Sequence, residues 1–186
     1  MADLYILVGI PGSGKSTVAK MLSQRIQNSV IVSSDEAREE LFGDPSKQYD
    51  DEICIAILEH IGYDLTHLDQ VELDRELRAV GNRLVFNRVD TKVKEYLSRG
   101  VSVIYDATNI SQRTQSEILR RYKKFYTSAY VYYVKTSLEI ALERNRKRDR
   151  VVPEDVIRRC YNRLHYPNDR LFSGVYVIEN DKDLPL

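Results

Sequence analysis

The 186-residue sequence has few residues of the types that build thiol or imidazole sites, with two cysteines and three histidines. Cys54 and Cys160 lie far apart, with neither the spacing of metal ligands nor the pairing of a disulfide framework. The histidines show no convergent spacing, and no CxxC pair or Ser-His-Asp pattern is found. We therefore expect both cysteines to be reduced, as in a cytoplasmic protein.

Long apolar runs are also missing from the sequence. No stretch approaches the roughly 18 apolar residues that a membrane-spanning helix needs. The first predicted strand begins at Leu4, which leaves no room for a signal peptide before it. These absences predict a cytoplasmic protein without a membrane partner.

A net charge is absent as well, because 28 basic residues balance 28 acidic ones. The charges are nevertheless segregated along the chain. Residues 34–74 contain thirteen acidic and two basic residues, a net charge of −11, whereas residues 113–163 contain fourteen basic and six acidic residues, a net charge of +8. The second region is predicted to attract anions, although such runs also occur simply as solvated helix faces.

Residues 9–17, GIPGSGKST, match the phosphate-binding pattern G-x-x-x-x-G-K-[ST] at every specified position. An apolar run precedes them and a helix-compatible stretch follows, which is the context this loop requires. Lys15 is expected to neutralise the β- and γ-phosphates of ATP or another nucleotide, and Ser16 to ligate Mg²⁺. The residues predicted to bind the nucleotide in this loop are Gly12, Ser13, Gly14, Lys15, Ser16 and Thr17.

Short β-branched or aromatic runs alternate with longer helical patterns, which predicts an α/β fold with a parallel sheet. The predicted strands are 4–8, 30–33, 101–105, 129–134 and 175–179; the predicted helices are 15–27, 35–42, 51–63, 70–98, 112–125, 138–148 and 154–164. About 70 residues separate the second and third strands, more than one crossover helix requires, so residues 42–98 are expected to form a helical cap. The whole chain, 1–186, is predicted to be a single P-loop NTPase/kinase domain.

The second predicted strand is followed by Asp35 and, one helical turn later, by Arg38. Ligands of open parallel sheets bind outside the carboxyl ends of the strands, so an acceptor substrate would approach here. A carboxylate at this place can accept a hydroxyl proton, and the guanidinium can hold an anion of the acceptor. The alternative is structural, with Asp35 as a helix N-cap and Arg38 as its exposed i, i+3 partner.

The third predicted strand is followed by Asp106 and then by Ala-Thr-Asn. An acidic residue at a strand tip is the usual position of a water-mediated Mg²⁺ ligand in this fold class. The same carboxylate could instead form an ion pair that supports Arg38, or cap the helix that begins at Gln112. The sequence leaves these roles of Asp106 open. Thr108 and Asn109 could likewise support a turn or contact the substrate.

A basic segment, RNRKRDR at residues 144–150, ends a predicted helix and leads into Pro153. Arginines at two-residue spacing cannot all share one helix face. Part of the segment, residues 144–153, is therefore predicted to be a mobile lid that supplies positive charge to the transition state. Arg144 and Arg148, four residues apart on the predicted helix, are expected to face the phosphates.

Four motifs together resemble the kinase domain of the polynucleotide 5′-hydroxyl kinases, including the bacteriophage enzyme and bacterial RNA-repair relatives. They are GIPGSGKST, SDxxR, DATN and RNRKRxRxVPxxVI, and they occur in this order over nearly the whole chain. The lid that runs into Val-Pro is the most specific of them. The resemblance implies transfer of the ATP γ-phosphate to the 5′-hydroxyl of RNA or DNA.

The resemblance also implies roles for individual residues. Asp35 would be the general base and Arg38 would grip the phosphate beside the acceptor nucleoside. Asp106 would hold the acceptor side, while Arg144 and Arg148 would be the lid arginines. Lys15 and Ser16 would serve the nucleotide and the metal.

Two departures from this family leave alternatives open. The phosphatase domain of several members is missing from these 186 residues, and the acidic insertion is long and unfavourable beside a polynucleotide. One alternative is a phosphotransferase for a nucleoside, sugar or antibiotic. Another is a nucleotide-dependent switch or toxin-like protein, although such a switch needs no acceptor base. The sequence leaves the oligomeric state open, as well as repair partners such as a ligase or phosphatase.

Overall fold

The structure is a computed structural model that describes residues 2–44, 47–148 and 150–182. Five strands form one sheet in the order β2-β3-β1-β4-β5, and each neighbouring pair is parallel. The strands are β1 Leu4–Val8, β2 Ser29–Ser33, β3 Ser102–Asp106, β4 Ala129–Lys135 and β5 Gly174–Glu179. The predicted α/β class with a five-stranded parallel sheet and flanking helices is confirmed.

The described residues form seven α-helices and one short 3-10 helix. They are α1 Lys15–Arg25, α2 Ser34–Phe42, α3 Asp51–His60, α4 Gln70–Ser98, α5 Gln112–Tyr122, α6 Leu138–Arg146 and α7 Glu154–Asn162, with the 3-10 helix at Asp169–Leu171. The long helix α4 has the predicted bounds, whereas five others end two or three residues early. None of the helices in the described ranges combines the length and the apolar character needed to cross a bilayer.

The chain divides into two compact units, one of Met1–Ser33 with Lys92–Leu186 and the other of Ser34–Thr91. The first contains the sheet with α1, α5, α6 and α7. The second contains α2, α3 and most of α4, so it begins eight residues before the predicted insertion of residues 42–98 and ends seven residues before that insertion ends. Residues 45 and 46 of this insertion lie outside the described residues.

The first unit buries the central strands of its parallel sheet, as such sheets require, whereas the edge strand β5 has no buried residue. All five residues of β3 are buried. A core cluster joins Leu7 of β1 to Val18 and Leu22 of α1. A second cluster packs Ile10, at the start of the loop after β1, against α6 and α7. The phosphate-binding pattern therefore lies between elements held by two separate apolar clusters.

The second unit has a small core of its own, in which Cys54 and Leu58 of α3 pack with Leu77 and Val80 of α4. Burial raises the pKa of the Cys54 thiol. Gly81 lies beside this core, and a Cβ there would collide with the Cβ of Tyr49. Close approach of the backbone thus accounts for a glycine inside a 29-residue helix.

Candidate active site

The loop between β1 and α1 depends on two glycines. Gly12 and Gly14 have φ angles of 82° and 90°, in the left-handed region that glycine adopts without strain. A Cβ on Gly12 would collide with the backbone carbonyl of Ala141 in α6, and one on Gly14 with the side-chain amide of Asn180. Both positions therefore require glycine for conformation and for space.

Lys15 is the first residue of α1 and is 8% exposed. Its Nζ donates a hydrogen bond to the carbonyl of Ile10 at 2.8 Å, so the ammonium group lies across the loop. The first turn of α1 contains no acidic residue. A cationic side chain beside a helix N-terminus is an arrangement that binds phosphate.

Asp106 is the last residue of β3, and its carboxylate accepts a hydrogen bond from the Ser16 hydroxyl at 2.8 Å. The aspartate is 6% exposed, whereas Ser16 is exposed. The described ranges hold no cluster of three or more His, Cys, Asp or Glu that could bind a metal. Magnesium commonly takes one or two protein oxygens and completes its shell with water and phosphate. The Ser16 hydroxyl and the Asp106 carboxylate are oxygen ligands of the kind that Mg²⁺ binds when a nucleotide supplies further ligands.

The residues after Asp106 anchor the start of the phosphate loop. The Asn109 side chain donates to the carbonyl of Leu7 at 2.9 Å, and the Thr108 carbonyl accepts from the N–H of Gly9 at 3.3 Å. Asn109 itself has a positive φ of 44°. Of the two roles that the sequence allows for these residues, the contacts favour the structural one.

The basic segment departs from its predicted geometry because α6 ends at Arg146. The side chain of Asn145 donates to the carbonyl of Val152 at 2.8 Å and accepts from its N–H at 3.0 Å, which folds the chain back. Arg148 lies beyond the helix, so the expectation that Arg144 and Arg148 share a helix face is wrong. Asp149, within the predicted lid, lies outside the described residues.

Two other basic side chains of this segment have defined partners. Arg144 donates from Nη1 to the backbone carbonyl of Asn180 at 2.9 Å. Arg146 forms an ion pair with Glu154, with 2.7 Å between nitrogen and oxygen. Arg144 is thus directed towards the residue that follows β5, a contact that the sequence pattern does not predict.

In the second unit, Asp35 and Arg38 lie on α2 and form the predicted i, i+3 pair at 3.4 Å. Helix α2 begins at Ser34, so Asp35 lies within its first turn and not at the residue before it. The Arg38 residue is 7% exposed, and its guanidinium also donates to Asn82 Oδ1 at 3.1 Å. A buried guanidinium needs such partners. Asn82 therefore helps to fix the cation, a role that the sequence pattern alone does not reveal.

Two further polar residues, Thr136 and Asn180, contact the phosphate loop and are missed by the sequence motifs. They directly follow β4 and β5, and both donate to the carbonyl of Ser13. The rule that ligands lie at the carboxyl ends of parallel strands could have drawn attention to them. No local motif marks them, because their partner is more than a hundred residues away in sequence.

Comparison with known proteins places these features in a family. The model of the AAA domain family, AAA_33, matches residues 4–167. The L-seryl-tRNA(Sec) kinase of Methanococcus maripaludis is 26% identical over 171 residues, which cover 90% of this chain and 54% of that protein. The chain thus spans about half the length of this curated relative.

Solved structures share the fold at lower identity. A chain of the Pnkp1/Rnl/Hen1 RNA repair complex has a TM-score of 0.58 at 22% identity, covering 88% of this chain and 44% of that one. A putative kinase from Chloroflexus aurantiacus has a TM-score of 0.64 at 14% identity, covering 95% and 84%. The predicted resemblance to RNA-repair kinases is confirmed at the level of the fold. The chain belongs to the AAA domain family and has the nucleotide-binding fold of the P-loop kinases.

Proposed function

We propose that this protein transfers the γ-phosphate of ATP to the 5′-hydroxyl of a polynucleotide end. The observation that carries the phosphotransfer is the contact between Ser16 and Asp106 directly after the Lys15 loop. This arrangement would supply a phosphate-binding loop, the Lys15 ammonium group and two oxygen ligands for Mg²⁺, all within the first unit. The acceptor half of the proposal rests on Asp35 and Arg38.

On the donor side, the loop from Gly12 to Thr17 would bind the β- and γ-phosphates through its backbone N–H groups and the N-terminus of α1. Lys15 would exchange its bond to the Ile10 carbonyl for a phosphate oxygen. Ser16 and Asp106 would hold Mg²⁺, which when bound stabilises negative charge on the phosphates. Arg144 would bind the nucleotide, and Arg148 would supply positive charge to the transferring phosphoryl group.

On the acceptor side, Asp35 would accept the proton of the attacking 5′-hydroxyl. The hydroxyl oxygen forms a bond to the γ-phosphorus as the bond to the β-phosphate oxygen breaks, and ADP leaves. Arg38 would bind the phosphate next to the acceptor nucleoside. Its contacts with Asp35 and Asn82 hold the guanidinium in one orientation for this task.

Two observations support a polynucleotide as the acceptor. The basic stretch at residues 113–163, with a net charge of +8, is suited to a polyanion. The curated relative is named for a kinase that acts on L-seryl-tRNA(Sec), where the phosphorylated molecule is carried on RNA. The charge and the relative favour an RNA-borne acceptor over a free metabolite, and the resemblance in the lid favours a 5′-hydroxyl end.

The acidic stretch at residues 34–74 favours a second candidate. Asp35 lies at the start of this stretch, whose net charge of −11 would repel a polynucleotide. A nucleoside, a sugar or an antibiotic carries fewer or no phosphates and would not meet this repulsion. A small-molecule phosphotransferase is therefore the alternative acceptor assignment for the same donor site.

An RNA-repair role would place the protein in the cytoplasm beside enzymes such as a ligase or phosphatase. Cys54 and Cys160 are free cysteines, in keeping with a reducing compartment. The neighbour of similar fold belongs to a complex named for Pnkp1, Rnl and Hen1. We propose this setting only together with the polynucleotide acceptor.

The acceptor assay separates these candidates. Purified protein, Mg²⁺ and [γ-³²P]ATP are incubated with 5′-hydroxyl RNA, 5′-hydroxyl DNA, the same oligonucleotides carrying a 5′-phosphate, nucleosides and sugars. We expect label on the 5′-hydroxyl oligonucleotides and none on their 5′-phosphorylated counterparts. Label confined to small molecules supports the alternative, and label on 5′-phosphorylated RNA indicates a different hydroxyl.

Asp35→Asn tests the proposed base, because it keeps the size of the side chain and removes its basicity. The variant should lose transfer while still binding ATP. Glu39→Gln, an exposed substitution one turn further along α2, is the matched control and should retain activity. An Asp35→Asn protein with full activity would exclude Asp35 as the general base.

A further inference from the structure

We infer that Asn180 is a positioning residue of the phosphate loop, where it orients one peptide group of the loop and connects it to helix α6. Thr136 assists it. This inference rests on the proposed nucleotide-binding role of the loop. It concerns residues of the first unit only, and none of the motifs assigned to the site contains them.

The carbonyl of Ser13 is contacted by two side chains. It accepts hydrogen bonds from Asn180 Nδ2 at 2.7 Å and from Thr136 Oγ1 at 3.2 Å, and all three residues are buried. A carbonyl oxygen can only accept, so the amide nitrogen of Asn180 must be the atom that faces it. Two buried donors from different strand ends therefore fix the direction of this carbonyl.

The direction of the Ser13 carbonyl determines that of the next N–H. In a trans peptide the carbonyl and the following N–H point in opposite directions, and the described residues contain no cis peptide. With its carbonyl held by Asn180 and Thr136, the Ser13–Gly14 peptide directs the Gly14 N–H away from them. In a phosphate loop the anion is bound by such inward N–H groups.

The close packing of Asn180 against Gly14 supports this orientation of the Ser13–Gly14 peptide. The side-chain amide of Asn180 occupies the space that a Cβ on Gly14 would need. The Asn180 Oδ1 is buried without a hydrogen-bond partner in the described structure, and leaving a buried acceptor unpaired costs free energy. Of the two polar atoms of this amide, only the nitrogen Nδ2 makes a contact with the loop. We therefore attribute the role of Asn180 to this donor.

The backbone of Asn180 is fixed by residues of β4 and α6. Its N–H donates to the Lys135 carbonyl at 2.8 Å, and its carbonyl accepts from Arg144 Nη1 at 2.9 Å. Thr136 Oγ1 lies 3.2 Å from this carbonyl and from that of Ser13, so its single proton is shared between the two. Arg144 lies on α6 and is the first residue of the basic segment. Asn180 thus contacts both α6 and the peptide that follows Ser13.

Asn180→Asp is the direct test, because it keeps the shape of the side chain and removes the donor. A carboxylate facing the Ser13 carbonyl is repelled, so the loop peptide should lose its fixed orientation. We expect the Kd for a fluorescent ATP analogue to rise roughly tenfold or more, while the KM for the acceptor stays unchanged. Asn162→Asp, an exposed substitution in α7 with the same change in charge, should bind the analogue as the wild type does.

A spectroscopic readout separates positioning from general destabilisation. The amide resonance of Gly14 is followed by NMR while inorganic pyrophosphate is added. We expect a saturable shift in the wild type and a weakened one in Asn180→Asp, with the melting temperature within a few degrees of wild type. An unchanged Kd and an unchanged Gly14 response in the variant would overturn the inference.

Two controls keep the outcome decisive. If Asn180→Asp does not fold, Thr136→Val removes the other donor at nearly the same volume and should raise the Kd by a smaller factor; no change in that variant counts against the inference. If the wild type binds neither the ATP analogue nor pyrophosphate, the proposed nucleotide site itself fails. Loss of the proposed function is thereby distinguished from loss of the positioning role.

Discussion

At the scale of single residues, the proposed donor site rests on the contact between Ser16 and Asp106. A hydroxyl at the start of α1 and a carboxylate at the end of β3 meet at 2.8 Å, although they are 90 residues apart in sequence. Both are hard oxygen ligands, the type that Mg²⁺ prefers. We therefore propose Asp106 as a metal ligand and not as a residue of the acceptor side.

Asp106→Asn should therefore change the metal dependence of the reaction. The amide keeps the size of the side chain but loses the negative charge that attracts the cation. The Mg²⁺ concentration for half-maximal activity should rise by about 10- to 100-fold, measured by titrating Mg²⁺ at saturating ATP. Asp169→Asn, at an exposed aspartate of the 3-10 helix, serves as the control. An unchanged Mg²⁺ dependence would exclude Asp106 as a metal ligand.

The loop residues could be predicted from sequence because their spacing is local. Lys15 and Ser16 lie where the phosphate-binding pattern puts them, and α1 starts at Lys15. Asn180 could not be predicted in the same way, since its partner Ser13 is 167 residues away. The same holds for Asn82, which is 44 residues from Arg38. Contacts of this kind arise from the topology of the sheet and of α4, which periodicity does not encode.

At the scale of elements, the end of α6 shows what periodicity misses. The helical pattern continues to Arg148, but the side chain of Asn145 pairs with both backbone groups of Val152. Side-chain bonds to the backbone compete with the helix at this position.

The strands were predicted to within one residue of their bounds, because buried parallel strands are short apolar runs with clear flanks.

Helix α4 offers a test at the same scale, through Gly81→Ala. Helix propensity alone would make alanine more stable by about 1 kcal/mol. The added Cβ collides with the Cβ of Tyr49, which cannot rotate away from its backbone, and such overpacking costs about 1–3 kcal/mol. We expect a net loss of stability in urea unfolding. Asn87→Ala, exposed on the same helix, should be neutral or stabilising; a stabilised Gly81→Ala would contradict the close approach.

The contact between α4 and Tyr49 also predicts a dependence of stability on pH. Burial, and then the hydrogen bond to Asp74, raises the pKa of Tyr49 from 10.0 to about 12. The folded protein thus holds this proton more tightly than the unfolded chain. Its contribution to stability is complete below about pH 10 and is lost as the pH rises towards about 12.

The hydrogen bonds from Tyr49 and Arg78 lower the pKa of Asp74, so its contribution has the opposite sign. It is present above the ordinary value of 3.8 and is lost as the pH falls below it.

Tyr49→Phe should flatten the alkaline loss of stability, measured as the urea midpoint between about pH 7 and pH 11. Tyr63→Phe, an exposed tyrosine of the same unit, is the control. Parallel curves for wild type and Tyr49→Phe would contradict the assignment.

At the scale of the whole molecule, the chain consists of a sheet unit and a smaller helical unit of residues 34–91. The sheet unit contains two separate buried apolar clusters, with residues from β1, β3, β4, α1, α6 and α7. The buried residues of the cluster in the helical unit are Cys54, Leu58, Leu77 and Val80. Because stability grows with buried apolar area, the two units should differ in their opening free energy.

Native-state hydrogen exchange measures this difference. Amides of α2 and α3 should exchange through an opening of lower free energy than those of β1 and β3, when followed by mass spectrometry at increasing denaturant. Peptides from α5 in the sheet unit provide an internal reference. A single opening free energy for all these segments would show that the chain unfolds as one cooperative unit instead.

We propose above that the Lys15 loop and Asp35 together transfer phosphate from ATP to a 5′-hydroxyl end. The most direct measurement is single-turnover transfer of ³²P from ATP to a 5′-hydroxyl RNA, with wild type, Asp35→Asn and Glu39→Gln in parallel. The account predicts labelled RNA with wild type and Glu39→Gln, and ATP binding without transfer with Asp35→Asn. Equal labelling by Asp35→Asn, or no labelling of any 5′-hydroxyl RNA or DNA by the wild type, would contradict it.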